Sequence, residues 1–183
     1  IKVMAASNAD RVALSINGKL IEEKPVHAFQ MVTWEVPYAP GKLEAVAKKD
    51  GKEVARYVVE TTGQLVALRL TPDRTVLAAD NCDAVPVTLE ALDAQGRPVP
   101  LAQNKISFEI SGPGKIIGVG NGDPNCHEPE QGDQRSLFNG LAQVIVQSKG
   151  DAGEIKLTAT AHGLASATAV LQTQPCALRP SVP

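Results

Sequence analysis

The side chains best suited to chemistry lie in one polar stretch, residues 121–133. Asp123, Glu128 and Asp133 supply carboxylate oxygens, which a hard cation such as Ca²⁺ prefers, and they are the candidate metal ligands of this sequence. The EF-hand order, with glycine at its sixth position and a closing glutamate, is absent. The alternative is an ordered surface loop whose carboxylates bind its own backbone. We expect the loop, and no cofactor.

Cysteine and histidine chemistry has weaker support. Cys126 and His127 could bind zinc or supply a thiol nucleophile, but adjacent residues in an extended loop point apart, and His162 is the one further ligand in sight. Neither His162 nor His27 belongs to a Ser/Asp or Cys/Asn arrangement that would make it a catalytic base. The sequence therefore predicts no catalytic residue.

The three cysteines leave at least one thiol unpaired within the chain, and no two of them share C-x-x-C spacing. Cys82 and Cys126 are the candidate disulfide pair in an oxidising compartment. The sequence does not supply the Cβ geometry on which such a bond depends.

The glycine-rich segment 112–122 matches neither of the phosphate-loop spacings G-x-x-x-x-G-K-S/T and G-x-G-x-x-G. No helix pattern follows it, so no helix dipole would support an anion there. We expect these glycines to permit tight turns and bulges between packed strands.

Aromatic residues, which stack on sugar rings, make up only 3% of the chain. Trp34 shares one face of an alternating run with Val32 and Val36, which predicts a core position for its indole. Tyr38, between two prolines, is the better candidate for an exposed ring and is the one predicted carbohydrate contact.

Charge and hydropathy exclude two classes of partner. Lys and Arg number 18 against 20 Asp and Glu, which offers no basic surface for nucleic-acid phosphates or anionic lipid. Hydrophobic residues make up 43% of the 183, but they are never continuous over the roughly 20 residues that a membrane span requires. We expect neither nucleic-acid binding nor membrane insertion.

Alternation with period two recurs along almost the whole chain and predicts an all-β fold. Val12, Leu14 and Ile16 occupy one face of a strand, and Asn17-Gly18 then provides the two positive-φ residues of a tight hairpin. Short strands at this spacing are typical of β-sandwiches.

About five or six strands precede Gly63 and about seven follow it. We predict two consecutive immunoglobulin-like β-sandwich domains: residues 1–63, truncated at the N-terminus, and residues 64–174 at the C-terminal end. Residues 175–183 are predicted to be a flexible tail.

Several motifs resemble the domains that follow the catalytic barrel in bacterial glycoside hydrolase family 2 enzymes of the β-galactosidase type. In the first half they are Ser7-Asn8-Ala9-Asp10, Val12-x-Leu14-x-Ile16-Asn17-Gly18-Lys19 and residues 34–45. In the second half they are residues 70–74, 111–124, 127–129, 138–141 and 146–148, which resemble the last C-terminal domain. Cys126 and Cys82 depart from this resemblance, standing where the family has a small hydroxyl and a polar residue, which favours the disulfide.

The resemblance implies a non-catalytic accessory fragment of a longer glycosidase. The family's acid/base carboxylate lies in an Asn-Glu dipeptide, which this chain does not contain. The implied partners are the catalytic barrel and other domains of that glycosidase, with a homo-oligomer and a glycan as further possibilities, and the implied location is periplasmic or secreted. A carbohydrate-binding module and an adhesin-like surface repeat are the alternative functions.

Overall fold

The computed structural model describes residues 1–177, and these residues form an all-β protein, as predicted. The described strands are β1 (Lys2–Ala5), β2 (Arg11–Ile16), β3 (Lys19–Pro25), β4 (Val32–Glu35), β5 (Lys42–Lys49), β6 (Lys52–Glu60), β7 (Leu65–Pro72), β8 (Val76–Ala78), β9 (Ala84–Asp93), β10 (Lys105–Ser111), β11 (Gly114–Gly120), β12 (Gln134–Ser136), β13 (Leu141–Ser148), β14 (Gly153–Thr160) and β15 (Ala167–Gln174). Within this described part, no helix is long and apolar enough to cross a membrane.

The chain divides into two compact units, residues 1–61 and the residues from Thr62 onward. Strand β15 ends at Gln174, so the predicted tail begins where regular structure ends. Residues 175–177 lie outside any strand, and positions 178–183 of that tail fall outside the described residues.

In the first unit, a four-stranded sheet in the order β3-β2-β5-β6 packs against a two-stranded sheet of β1 and β4. Its buried cluster is small and has Trp34 at 2% exposure, which confirms the predicted core position; the other members are Val12, Leu14, Val32 and Val36. Asn17 and Gly18 have φ of 50° and 79° and join β2 to β3, so the predicted hairpin is also confirmed. Asparagine and glycine tolerate this left-handed backbone better than other residues.

In the second unit, a five-stranded sheet in the order β12-β10-β14-β15-β8 packs against a four-stranded sheet in the order β11-β13-β9-β7. Alternate residues of the central strands are fully buried, as period-two patterning predicts. They are Val85, Val87, Leu89, Val144, Val146, Ile155 and Leu157.

A buried carboxylate holds the beginning of the second unit. Asp93 lies at the end of β9, and its carboxylate accepts hydrogen bonds from the backbone N–H groups of Gly63, Gln95 and Arg97. The carboxylate also forms an ion pair with the guanidinium of Arg97. Burial alone raises the pKa of Asp93, but the hydrogen bonds from Gly63, Arg97 and Gln95 outweigh it and hold the pKa well below its usual range.

Candidate functional site

Residues 121–133 connect β11 to β12 and fold through bonds to their own backbone. The Asn121 Oδ1 atom accepts from the backbone N of Asp123 at 3.0 Å, and Asp123 Oδ1 accepts from the backbone N of Asn125 at 2.9 Å. The carbonyl of Asp123 then accepts from the N–H of Cys126. Asn and Asp side chains that bind backbone two residues ahead define a chain of tight turns, in agreement with the loop interpretation.

Glu128 closes this loop onto β12. Its two carboxylate oxygens accept from the hydroxyl and the backbone N–H of Ser136, each at 2.7 Å. These two bonds lower the pKa of Glu128, and the charges of Lys105 and Arg135 add to the effect. The carboxylate is therefore occupied by the protein itself.

The predicted metal ligands are not assembled. Among residues 1–177, no three or more His, Cys, Asp or Glu side chains are placed to hold a metal ion. Glu128 is bound to Ser136, while Asp123 lines a cavity of about 290 Å³ and Asp133 lines a different one of about 690 Å³. A cation site needs several oxygens converging on one point, and these carboxylates diverge.

Arg135, on β12, is the buried cation beneath the loop, with 3% exposure. Its Nη2 donates to the carbonyl of Val119 at 2.7 Å, and its Nη1 lies 3.1 Å from the Sγ of Cys126 and 3.3 Å from the carbonyl of Glu128. The guanidinium thus ties the end of β11 to the loop. Its Nε is buried without a hydrogen-bond partner.

The three cysteines are free in the structure, so the predicted Cys82–Cys126 disulfide is not formed. The sulfur of Cys126 is held against Arg135 in the loop, whereas Cys82 is exposed in the turn between β8 and β9. Each residue is fixed by its own local bonds, since the backbone N–H of Cys82 donates to Asp80 Oδ1.

Tyr38 lies in the irregular segment after β4 and is 64% exposed. An exposed ring is what stacking on a sugar requires, and the carbohydrate contact stays a prediction. The buried Trp34 is not available for that role.

The structure adds a surface that the sequence did not indicate, on the inner face of β6. The register pairs Ala45 with Leu14 on one side and with Tyr57 on the other, and it pairs Leu43 with Ile16 and Val59 in the same way. Directly paired residues share a face of a sheet, so Tyr57 and Val59 belong to the face that carries the core. They are nevertheless 74% and 51% exposed.

The outer face of the same sheet is charged. Arg56 binds Glu44 at 2.6 Å and Glu53 at 2.8 Å, and Lys42 also binds Glu44. Hydrogen bonds from Lys42 and Arg56 lower the pKa of Glu44, and the bonds to Glu53 and Glu44 raise the pKa of Arg56. On this outer face the exposed Val58 stands among charged side chains, whereas the strip that we call the β6 inner face, defined by Ala55, Tyr57 and Val59, is apolar along its length.

Glu128→Gln is expected to destabilise the second unit by about 1 kcal/mol at pH 7, because an amide cannot accept from both Ser136 donors as a carboxylate does. Urea unfolding measures the loss. Glu130→Gln in the same loop is the matched control, since Glu130 is exposed and accepts from Val119 through its backbone carbonyl. Equal stabilities of the two variants would contradict the role given to the Glu128 carboxylate.

Two sandwich units of this kind define a modular all-β protein, and comparison with known proteins identifies its family. Residues 68–170 match the family model described as glycoside hydrolase family 2 C-terminal domain 5, and residues 1–55 match the model described as domain of unknown function (DUF4982). The chain belongs to glycoside hydrolase family 2, as the motifs indicated.

Three relatives that are much longer than this chain show what it is similar to. A β-galactosidase of Bacteroides ovatus, BoGH2A, is 39% identical over 88% of this chain and 19% of its own length. A putative β-glucuronidase of Formosa agariphila is 34% identical over 81% of this chain and 15% of its own length. The crystal structure of a family 2 member from Bacteroides cellulosilyticus superposes with a TM-score of 0.92 at 33% identity, covering 94% of this chain and 23% of that one. The chain thus spans between 15% and 23% of the length of these three proteins.

Proposed function

We propose that this chain is a non-catalytic C-terminal accessory part of a family 2 glycosidase, here called the parent glycosidase, of the β-galactosidase type. Its role is to support the catalytic barrel by packing against other domains, with substrate approach and oligomerisation as further uses of the same surfaces. Two findings support this proposal: the match to a C-terminal domain model, and the fact that the matched region is only 19% of the length of BoGH2A. A periplasmic or secreted location belongs to the proposal and rests on the resemblance alone.

The observation that carries the proposal is the exposed β6 inner face. The sheet opposite it has two described strands, β1 and β4, whereas the sheet that contains β6 has four. The narrower sheet covers β2 and part of β5, and it leaves Tyr57 and Val59 uncovered although the register places them on the core side. Covering such side chains contributes about 1.5–3 kcal/mol each for full burial.

A protein surface fits this face better than a sugar does. The three inward-facing side chains of β6 are two aliphatic groups and one phenol, and β6 is also the edge strand of its sheet. Sugar hydroxyls need several polar partners, whereas an apolar strip on an edge strand is typical of contacts between proteins or domains. The occupant we propose is another domain of the parent glycosidase.

The proposed substrate of the parent glycosidase is a β-galactoside, because the name of the Bacteroides ovatus relative is that of a β-galactosidase. A β-glucuronide is the alternative, from the name of the Formosa agariphila relative. A retaining hydrolysis needs two carboxylates about 5 Å apart on a rigid scaffold. In this proposal the catalytic barrel supplies both of them.

The test is a double substitution, Tyr57→Ser with Val59→Ser, made both in the parent glycosidase and in the isolated chain. In the parent it should lower the thermal midpoint by several degrees and reduce glycosidase activity, because a covered apolar contact is lost. In the isolated chain, where both side chains are already exposed, the change in stability should stay within about 0.5 kcal/mol.

Val58→Ser is the matched control on the same strand. Val58 is 37% exposed and pairs with Glu44 on the charged outer face. A parent glycosidase that tolerates the double substitution as well as it tolerates Val58→Ser would refute a covered β6 inner face.

A further inference from the structure

The loop of residues 121–133, which lies above Arg135, also contains a nucleophile, the thiol of Cys126, to which the proposed function gives no role. Cys126 and Arg135 line the cavity of about 290 Å³, together with Asn121, Asp123 and Glu130. Cys126 is partly exposed and lines the cavity, so a small molecule that enters the cavity meets this residue. Neither the family match nor the accessory role assigns anything to this thiol.

The charge of Arg135 is poorly compensated by its immediate partners. All three acceptors that bind it are neutral groups: two backbone carbonyls and the sulfur of Cys126. The Glu128 carboxylate is close enough for its pKa to be lowered by Arg135, but both of its oxygens are taken by Ser136. A buried cation is costly unless an opposite charge approaches it, and the orphaned Nε adds an unsatisfied donor.

We propose that Cys126 is a site of reversible covalent modification, at which a small aliphatic disulfide forms a mixed disulfide with the protein. The thiolate is the form of cysteine that attacks disulfides. At Cys126 its negative charge is met by the Arg135 guanidinium, whose Nη1 lies 3.1 Å from the sulfur. The cavity provides the space for the incoming group.

The exchange balances without any further reactant. The Cys126 sulfur attacks one sulfur of R–S–S–R, a new S–S bond forms, and the original S–S bond breaks. The departing R–S⁻ takes a proton from solvent. Cys126 is oxidised to the mixed disulfide, and the released half of the reagent is reduced to a thiol.

The cavity also selects the charge of the reagent. Its lining carries two carboxylates, those of Asp123 and Glu130, against the single guanidinium of Arg135. The carboxylates attract a cationic disulfide such as cystamine and repel an anionic one such as dithiodiglycolate. We therefore expect cystamine to be the preferred reagent at this site.

The test uses the three cysteines of the unmodified chain as one another's controls. The reduced full chain is treated with cystamine at pH 7, and modification of each cysteine is followed by peptide mass spectrometry. Cys126 should react about tenfold faster than Cys82 and Cys176, although both of these are exposed and Cys126 is only partly so. In 8 M urea the three rates should become similar, because the arrangement around Arg135 is then lost.

Two further measurements complete the experiment. Dithiodiglycolate should modify Cys126 more slowly than cystamine does, while Cys82 should show a smaller difference between the reagents. Cys126→Ser should abolish the fast phase and leave the rates of the other two cysteines unchanged. A native chain in which Cys126 reacts no faster than Cys82, or a rate ratio that persists in urea, would overturn the proposal.

Discussion

Replacing Trp34 with alanine is expected to unfold the first unit while the second unit stays folded. The first unit has a core of five buried side chains, and the indole is the largest of them. Removing a buried aromatic side chain costs about 3–5 kcal/mol. A unit of this size rarely has more than about 5 kcal/mol of stability, so the substitution removes most of it.

Amide hydrogen exchange measures this outcome for each unit separately. In Trp34→Ala, peptides that cover β2 and β4 should exchange close to the unfolded rate, while those from β13 and β14 should keep their protection. Trp34→Phe is the control, because it retains most of the apolar volume and removes an indole N–H that is buried without a partner. Retained protection of β2 and β4 in Trp34→Ala would show that the unit does not depend on this core.

Replacing Asp93 with asparagine is expected to produce the largest loss of stability from a polar substitution in the second unit. The buried carboxylate accepts from Gly63, Gln95 and Arg97, and an asparagine side chain would place an NH₂ group against some of these donors. The guanidinium of Arg97 would also lose its ion pair with Asp93. Buried donors without acceptors are costly, so the thermal midpoint should fall by several degrees.

The stability lost in Asp93→Asn should become smaller as the pH is lowered into the acid range. The pKa of Asp93 is lowered in the folded state, whereas an aspartate in the unfolded chain titrates near 3.9. The stabilisation by the charged form is therefore complete above about pH 4 and declines as pH falls below that value toward the folded pKa. The difference between the two proteins should be constant from pH 7 to pH 5 and shrink in stronger acid.

Urea unfolding between pH 7 and pH 3 provides the measurement for Asp93→Asn. Asp151→Asn is the control, because Asp151 is exposed and accepts from Thr173 through its backbone carbonyl. A difference that grows toward acid pH would mean that the Asp93 carboxylate is not stabilised in the folded state.

The sequence was sufficient for the elements whose signals are local. Alternation defines β2, β9, β13 and β14, and the Asn17-Gly18 dipeptide joins β2 to β3 as expected. These features depend on residues close in the chain, so a strand's own pattern contains them. The core position of Trp34 was predictable for the same reason, because the alternation places its indole on one face with Val32 and Val36.

The structure does not bring the candidate metal ligands together, because the position of each carboxylate depends on partners beyond the polar stretch. Glu128 is taken by Ser136 on β12, and Asp123 and Asp133 line different cavities. Spacing within a loop does not reveal which side chain or backbone group each carboxylate meets. The ordered loop, which needs only neighbouring donors, was within reach of the sequence.

The β6 inner face could not be predicted for a different reason. The register places Ala55, Tyr57 and Val59 on the face that carries the core. Their exposure follows from the number of strands in the opposite sheet, which no pattern within β6 encodes. The contradiction between register and burial became visible only with both sheets in place, and it is the basis of the proposed accessory role.

The most direct test of that role is an assay of the isolated, folded chain with aryl β-galactosides and aryl β-glucuronides, beside an intact family 2 glycosidase as the positive control. We predict that the chain releases no aryl alcohol above the rate of the buffer blank, because in the proposed function the catalytic barrel supplies both catalytic carboxylates. Turnover comparable to that of the intact enzyme would contradict a non-catalytic accessory role.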